Sequence, residues 1–360
     1  MTEGRATPPP PTLASLVRVT GITQDDQRKH RPAAGCAGHS PTSKLPVVSN
    51  ARPALPSSQD MTLPAVEASQ LSRRFGSRWA LSDCTLTIPQ GRVTGLVGRN
   101  GAGKTTLLHL AVGLLRPTSG TITVLGERPG ARSSQLAKVG FVAQDRPVYA
   151  GLSVAEHLHL GAHLNPRWDA QLASRRIERL ALDPAQAART LSGGQRAQLA
   201  LALAISKRPQ LLILDEPVAS LDPVARRNFL EDLAEAVDEH RLSVVLSSHL
   251  IADLAQVCNY MIVIGTGRIR VAGDISELLS THYTLTRPRR QGPAAVPFDL
   301  KVVHAWRVKN ATKVLVRGDA PVAADGWRIS RPALDDLVVS YMSPASDSSR
   351  RRVPGQGELL

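Results

Sequence analysis

Apolar and polar residues change register sharply along this chain. Three short runs, Leu211–Leu214, Val244–Leu246 and Met261–Ile264, are continuously apolar and show no alternation. Such runs suit strands covered on both faces, as in a mainly parallel sheet. The segment "GRVTGLVG" reads as a further strand ending in glycine, and "KTTLLHLAVGLL" after it has a helical period. Shorter strand patterns precede it at Val66–Ser69 and Cys84–Ile88, and "GTITVLG" follows. Strands and helices in this order predict an α/β domain over residues 61–283.

The flanks read differently. Residues 1–60 are rich in Pro, Ser, Thr and Ala without sustained period, so they bury too little to offset their ordering entropy and are expected to be disordered. Met61 opens the first strand pattern and is the expected start of the folded chain. Residues 284–297, with "RPRRQGPAAVP", read as a linker. Beyond it "KVVHAWRV", "TKVLVRG" and "GWRIS" predict short strands and "PALDDLVVSYM" a helix, giving a small α+β appendage over 298–342. Residues 343–360 are expected to be a disordered tail.

Composition narrows the classes. The chain has 360 residues and a formal charge of +14, which invites a nucleic-acid reading. Its arginines are scattered, however, with short clusters at Arg287–Arg290 and Arg350–Arg352, so an anionic lipid surface or a protein partner fits equally well. Cys36, Cys84 and Cys258 are far apart, as expected of reduced thiols rather than a disulfide frame or zinc site. No window reaches about 18 consecutive apolar residues, so no membrane span is expected.

The residues that carry chemistry lie at strand ends. "GRNGAGKT", Gly98–Thr105, matches G-x-x-x-x-G-K-[ST] between an apolar strand and a helix. Its glycines let backbone N–H groups close around phosphate oxygens; Lys104 neutralises phosphate charge, and Thr105 offers a hydroxyl to Mg²⁺. "LLILDEP" ends an apolar strand in two acids, where α/β sheets bind ligands. Asp215 there suits Mg²⁺, and Glu216 suits the polarising of an attacking water. His249 follows another strand and can reach a γ-phosphate, while Gln144, after "VGFVA", can ligate Mg²⁺ or position water. The turn "TLSGGQRAQ" sets Ser192, Gly193, Gly194 and Gln195 before a helix, a second place suited to an anion.

In order, "GRNGAGKT", "VAQ", "LSGGQ", "LLILDEP", "ASLD" and "SSH" resemble the ATP-binding-cassette (ABC) family of ATPases. The resemblance implies a P-loop core with an antiparallel β subdomain and a helical signature subdomain. It implies that Gly98, Arg99, Asn100, Gly101, Ala102, Gly103, Lys104, Thr105 and Thr106 bind ATP and that Phe75 stacks on adenine. Thr105, Gln144 and Asp215 would serve Mg²⁺. Glu216 would be the catalytic base, assisted by His249 and Gln144. Ser192, Gly193, Gly194 and Gln195 would reach the ATP of a facing subunit, which Asp222 would also contact. The partners implied are a second ATPase subunit, identical or not, and separate integral membrane subunits, with the chain on the cytoplasmic face of the membrane and no specific nucleic acid. Within the family, "DEPVASLDPVARRNFLEDL" and the C-terminal segment resemble bacterial exporter subunits. The other readings are an importer subunit, or a soluble member acting on nucleic acid or ribosomes. Against the last, roughly 85 residues separate phosphate loop from signature, without heptads or CxxC pairs.

Overall fold

The computed structural model describes residues 63–145, 147–288, 300–318 and 326–343. The expectations for residues 1–60, for most of the linker and for the tail beyond 343 lie outside the described residues.

Two sheets frame the phosphate loop. Strands β1 (Val66–Phe75), β2 (Arg78–Ile88) and β4 (Ser119–Val124) form an antiparallel sheet in the order β2-β1-β4. The second sheet holds β3 (Val93–Val97), β5 (Val139–Val142), β6 (Leu211–Asp215), β7 (Ser243–Ser248), β8 (Tyr260–Gly265) and β9 (Arg268–Asp274), in the order β5-β6-β7-β3-β8-β9. Its strands pair in parallel except at the β8–β9 edge. The continuous apolar runs are its inner strands, and each feeds two cores. Leu212 and Leu214 of β6 join one cluster, with Val244, Leu246, Met261 and Val263; Leu211 and Ile213 join the other, with Val245, Ile262 and Ile264. The second cluster lies under the antiparallel sheet and takes Leu107, Leu108 and Leu110 from helix α1 (Lys104–Ala111).

The first core is closed by helices: α3 (Val154–Leu164), α4 (Ala170–Arg179), α5 (Gly193–Ser206) and α6 (Pro223–His240), after the short α2 (Ser133–Ala137). Their starts are written locally. Ser153 and Glu156 form a capping box on α3, Asp169 caps α4, and Asp222 caps α6 with Pro223 in its first turn. Helices α7 (Ile251–Val257) and α8 (Ile275–Thr281) follow β7 and β9.

The C-terminal segment departs from expectation in two respects. Strand β10 (His282–Pro288) runs through the last residues of the expected α/β domain and the first five of the expected linker. It is an inner strand of the sheet β11-β12-β10-β13, with β11 (Lys301–Val308), β12 (Ala311–Arg317) and β13 (Arg328–Ser330). "HYTLTRP" hides this strand because its Thr and Arg positions resemble the start of the polar stretch behind it. The module is also not a mere appendage: Leu315 of β12, with Leu337 and Val338 of helix α9 (Leu334–Met342), belongs to the first core. At the start of the domain, the runs expected at Val66–Ser69 and Cys84–Ile88 prove to be parts of one long β1–β2 hairpin.

Candidate nucleotide-binding site

The loop Gly98–Gly103 turns from β3 into α1 with no room for side chains at two of its glycines. A Cβ on Gly98 would stand 2.5 Å from the Ile264 carbonyl oxygen. On Gly103, at φ +109°, it would stand 2.7 Å from the Ala80 carbonyl oxygen. The glycines therefore keep the loop pressed against β8 and the hairpin while its backbone stays bare towards the cleft. Ala102 is buried, and its carbonyl accepts from Gly267 N–H at 3.0 Å, tying the loop to the β8–β9 turn.

A cleft of about 440 Å³ opens beside this loop. Of the residues singled out in sequence, Phe75, Asn100, Gly101, Gly103, Lys104, Thr105, Thr106, Gln144 and Glu216 all line it. Arg78 and Ala80 line it too, and sequence reasoning missed both. Phe75 is 46% exposed, with the Arg73 guanidinium 4.7 Å from its ring centroid, so a planar group can stack on its other face.

At the floor of the cleft Lys104 is 4% exposed. Its ammonium donates to the Gly98 carbonyl at 2.8 Å and lies 3.5 Å from that of Arg99 and 3.0 Å from Glu216 Oε1. The other carboxylate oxygen, Oε2, is 3.0 Å from His249 Nδ1. Glu216 is thus held between two basic groups. Burial pushes its carboxyl up, but Lys104 and His249 outweigh burial and hold it below the usual carboxylate range. Its backbone is left-handed at φ +45°, sparsely populated by a non-glycine residue.

That backbone is pinned by Ser247, a residue that no motif singles out. Ser247 Oγ accepts from Glu216 N–H at 2.8 Å and donates to Asp215 Oδ1 at 2.7 Å. Asp215 Oδ2 is buried with no hydrogen-bond partner among the described residues.

The signature turn is not part of this cleft. Ser192, Gly194 and Gln195 line a separate groove beside Ala225 and Asp232, and Gly193 lines a groove that runs from Gln144 to Leu221 and shares Gln144 and Glu216 with the cleft. In this chain the side chains of Ser192 and Gln195 satisfy each other's backbone as a capping box, with Gln195 N–H to Ser192 Oγ at 3.1 Å and Ser192 N–H to Gln195 Oε1 at 2.9 Å. Asp222 has a local task as well: its Oδ1 accepts from Val224 and Ala225 N–H at 3.0 Å each.

A phosphate loop, a paired acid and histidine, and a detached signature turn agree with comparisons to known proteins. The family model described as ABC transporter matches residues 81–219. The Fe(3+) ions import ATP-binding protein FbpC 2 of Rhodococcus jostii is 31% identical over 268 residues, covering 73% of this chain and 75% of that protein. The energy-coupling factor transporter ATP-binding protein EcfA2 of Symbiobacterium thermophilum is 38% identical over 270 residues, covering 71% and 92%. Among solved structures, cbiO1 from Clostridium perfringens, part of the ABC transporter complex cbiONQ, matches at 25% identity and TM-score 0.52, covering 60% of this chain and 90% of that one. The chain is an ATPase and belongs to the family of ABC transporter ATP-binding subunits.

Proposed function

We propose that this chain is one of two ATPase subunits that close on ATP and Mg²⁺ at the cytoplasmic face of a membrane, driving import through separately encoded membrane subunits. The observation that carries the reading is the bonded row Lys104–Glu216–His249 at the floor of a cleft lined by the phosphate loop. Asn100, Gly101, Gly103, Lys104, Thr105 and Thr106 bind the phosphates, with Gly98, Arg99 and Ala102 shaping the loop, and Phe75 stacks on adenine. When ATP enters, the Lys104 ammonium moves from Glu216 to phosphate oxygens. Glu216 then loses its nearest cation and becomes the better base for the attacking water, with Gln144 and His249 beside it.

The donor set fits a divalent cation: Asp215 has a buried carboxylate oxygen with no hydrogen-bond donor among the described residues, and Thr105 and Gln144 line the cleft. These three would hold Mg²⁺, which would neutralise charge on the phosphates. The need for a second subunit is supported by Ser192, Gly194 and Gln195 lying in a separate groove, so that these residues do not line the cleft of their own chain. Gly193, Gly194, Ser192 and Gln195 then serve the facing subunit's ATP, and Asp222 approaches that subunit.

Among the described residues no helix is long and apolar enough to cross a membrane, in keeping with separate membrane subunits. Export, expected from the C-terminal segment, finds no support in the relatives; the Rhodococcus relative is named for import, which is the direction proposed. The purified chain should release phosphate from ATP and co-purify from membranes with a spanning chain. In inside-out vesicles, import predicts ATP-driven loss of that complex's cargo from the lumen, and accumulation there would establish export. Salt-sensitive nucleic-acid binding without a membrane partner would overturn the transport reading.

A further inference from the structure

The β1–β2 hairpin turns on Gly76–Ser77, so that Phe75 and Arg78 oppose each other directly across the strands. Opposed residues of an antiparallel pair project to one face. Here both reach the nucleotide cleft. A Cβ built on Gly101, near the tip of the phosphate loop, would lie 3.6 Å from Arg78 Nη2. The guanidinium therefore rests against the loop, on the hairpin side of the cleft.

Its neighbours are committed elsewhere. Arg73 lies over the Phe75 ring and donates to the Arg116 carbonyl at 3.1 Å. Arg74 lies over Trp79, 5.6 Å from its ring centroid. Lys104, the other cation lining the cleft among the described residues, is held by Gly98 and Glu216. The Arg78 side chain makes no hydrogen bond or ion pair among the described residues. It is exposed, so no packing requirement explains a cation at this place.

We propose that Arg78 binds the phosphate chain of the nucleotide, facing the loop across the cleft. This rests on the nucleotide reading above and adds to it a second cation from a different subdomain. A guanidinium presents a planar fork of donors that matches two phosphate oxygens, and unlike Lys104 it need not first break an ion pair. Arg78 therefore meets the incoming polyanion first. A charge at a rim of this kind acts on capture rate and salt dependence more than on chemistry. The contact also makes the cleft discriminate by phosphate charge, since adenosine offers Arg78 nothing.

The test measures binding of ADP and of adenosine to the full chain by calorimetry, at low and high salt, for wild type, Arg78→Gln and Arg78→Lys. ADP is used because it is not hydrolysed. The Arg78→Gln protein should bind ADP about tenfold more weakly, the size of one charge-assisted contact at a partly exposed site. Its salt dependence should be shallower, with Arg78→Lys intermediate, and adenosine binding should be unchanged. In steady-state assays KM for ATP should rise while kcat holds. Wild-type affinity for ADP in Arg78→Gln, or an equal loss for ADP and adenosine, would overturn the proposal while leaving the nucleotide reading intact. Failure of the wild-type chain itself to bind ADP would overturn that reading and Arg78's part with it.

Discussion

The Lys104 ammonium and the Glu216 carboxylate lie 3.0 Å apart, with side chains 4% and 9% exposed. The carboxylate thus occupies the position around Lys104 that a phosphate oxygen must take. Glu216→Gln removes the base and the competing charge in one step. Hydrolysis should fall by about 10²–10⁴-fold, the usual share of a general base. ADP affinity should not fall and should rise, because Lys104 is released. Calorimetry with ADP separates the two effects; a Glu216→Gln protein that hydrolyses ATP at near the wild-type rate would remove Glu216 from the role of base. Lys104→Ala should abolish tight nucleotide binding.

Glu216 also gives a pH prediction. Its folded-state carboxyl sits below its ordinary value, with burial opposing and the two basic neighbours prevailing. The unfolded chain then binds more protons in the acid range, so this group stabilises the fold above about pH 4.5 and the contribution is lost as pH falls through the lowered value. Glu216→Gln should flatten the acid limb of the stability curve below about pH 4.5, read by denaturant unfolding at a series of pH values.

Ser247 holds Asp215 by one hydrogen bond and the Glu216 amide by another. Ser247→Ala leaves a buried carboxylate oxygen and a strained backbone N–H without their partner. Supporting groups of this kind are worth about 10–100-fold in activity. The variant should lose kcat by about tenfold or more and require more Mg²⁺ for half-maximal rate, while ADP binding in EDTA stays within twofold of wild type. An unchanged Mg²⁺ requirement would reduce Ser247 to packing.

The phosphate loop was legible in the sequence because its glycines answer a steric demand that little else meets: Gly98 against Ile264 and Gly103 against Ala80. The buried strands were legible because both of their faces meet apolar cores. What escaped depends on pairing at a distance. Ser247 is a serine among serines until β7 brings it beside Asp215 and Glu216, 31 residues earlier in the chain than Ser247 at its nearer partner. Arg78 is one arginine among 44 Lys and Arg until the hairpin turn aims it at Gly101. Strand β10 needed β12 and β13 on either side to be visible as a strand. Ser192 and Gln195 were read as an anion-binding turn, and the structure adds that they are also an ordinary helix start.

His282 and Tyr341 join the C-terminal module to itself across the core. His282 is fully buried; its Nδ1 faces the Leu278 carbonyl at 2.7 Å and its Nε2 faces the Tyr341 hydroxyl at 2.7 Å. With the proton on Nδ1, both bonds are made by the neutral ring. Burial holds its pKa below the ordinary value, against the opposing pull of the Leu278 carbonyl. The unfolded chain therefore binds the extra proton first, and stability should decline as pH falls below about 6.5, the unfolded histidine value. Tyr341→Phe should cost about 1 kcal/mol at neutral pH by leaving Nε2 unpartnered. Thermal unfolding at pH 8 and pH 5.5 checks both statements.

The two signature glycines separate packing from function. A Cβ on Gly194 would stand 2.9 Å from Ala225 Cβ, so Gly194→Ala forces α5 off α6 and should destabilise the fold by about 1–3 kcal/mol. Loss of activity in that variant is therefore ambiguous. Gly193 has no such neighbour, its nearest atom being Leu221 Cδ2 at 4.0 Å. If Gly193 approaches the facing subunit's nucleotide, Gly193→Ala should keep wild-type stability and ADP affinity yet lose ATP turnover and ATP-dependent dimerisation. Mixing Gly193→Ala chains with Lys104→Ala chains supplies the sharper measurement. A mixed pair has one cleft in which the intact Lys104 of the Gly193→Ala chain faces the intact turn of the Lys104→Ala chain, and one in which both are defective, so one cleft is whole and the mixture should regain activity that neither variant has alone. Mixing Lys104→Ala with wild type should leave one whole cleft per mixed pair, so activity should persist in proportion to the pairs formed. Turnover by the Gly193→Ala and Lys104→Ala mixture no higher than that of either variant alone, while the mixture of Lys104→Ala with wild type stays active, would show that a cleft works without the partner's turn.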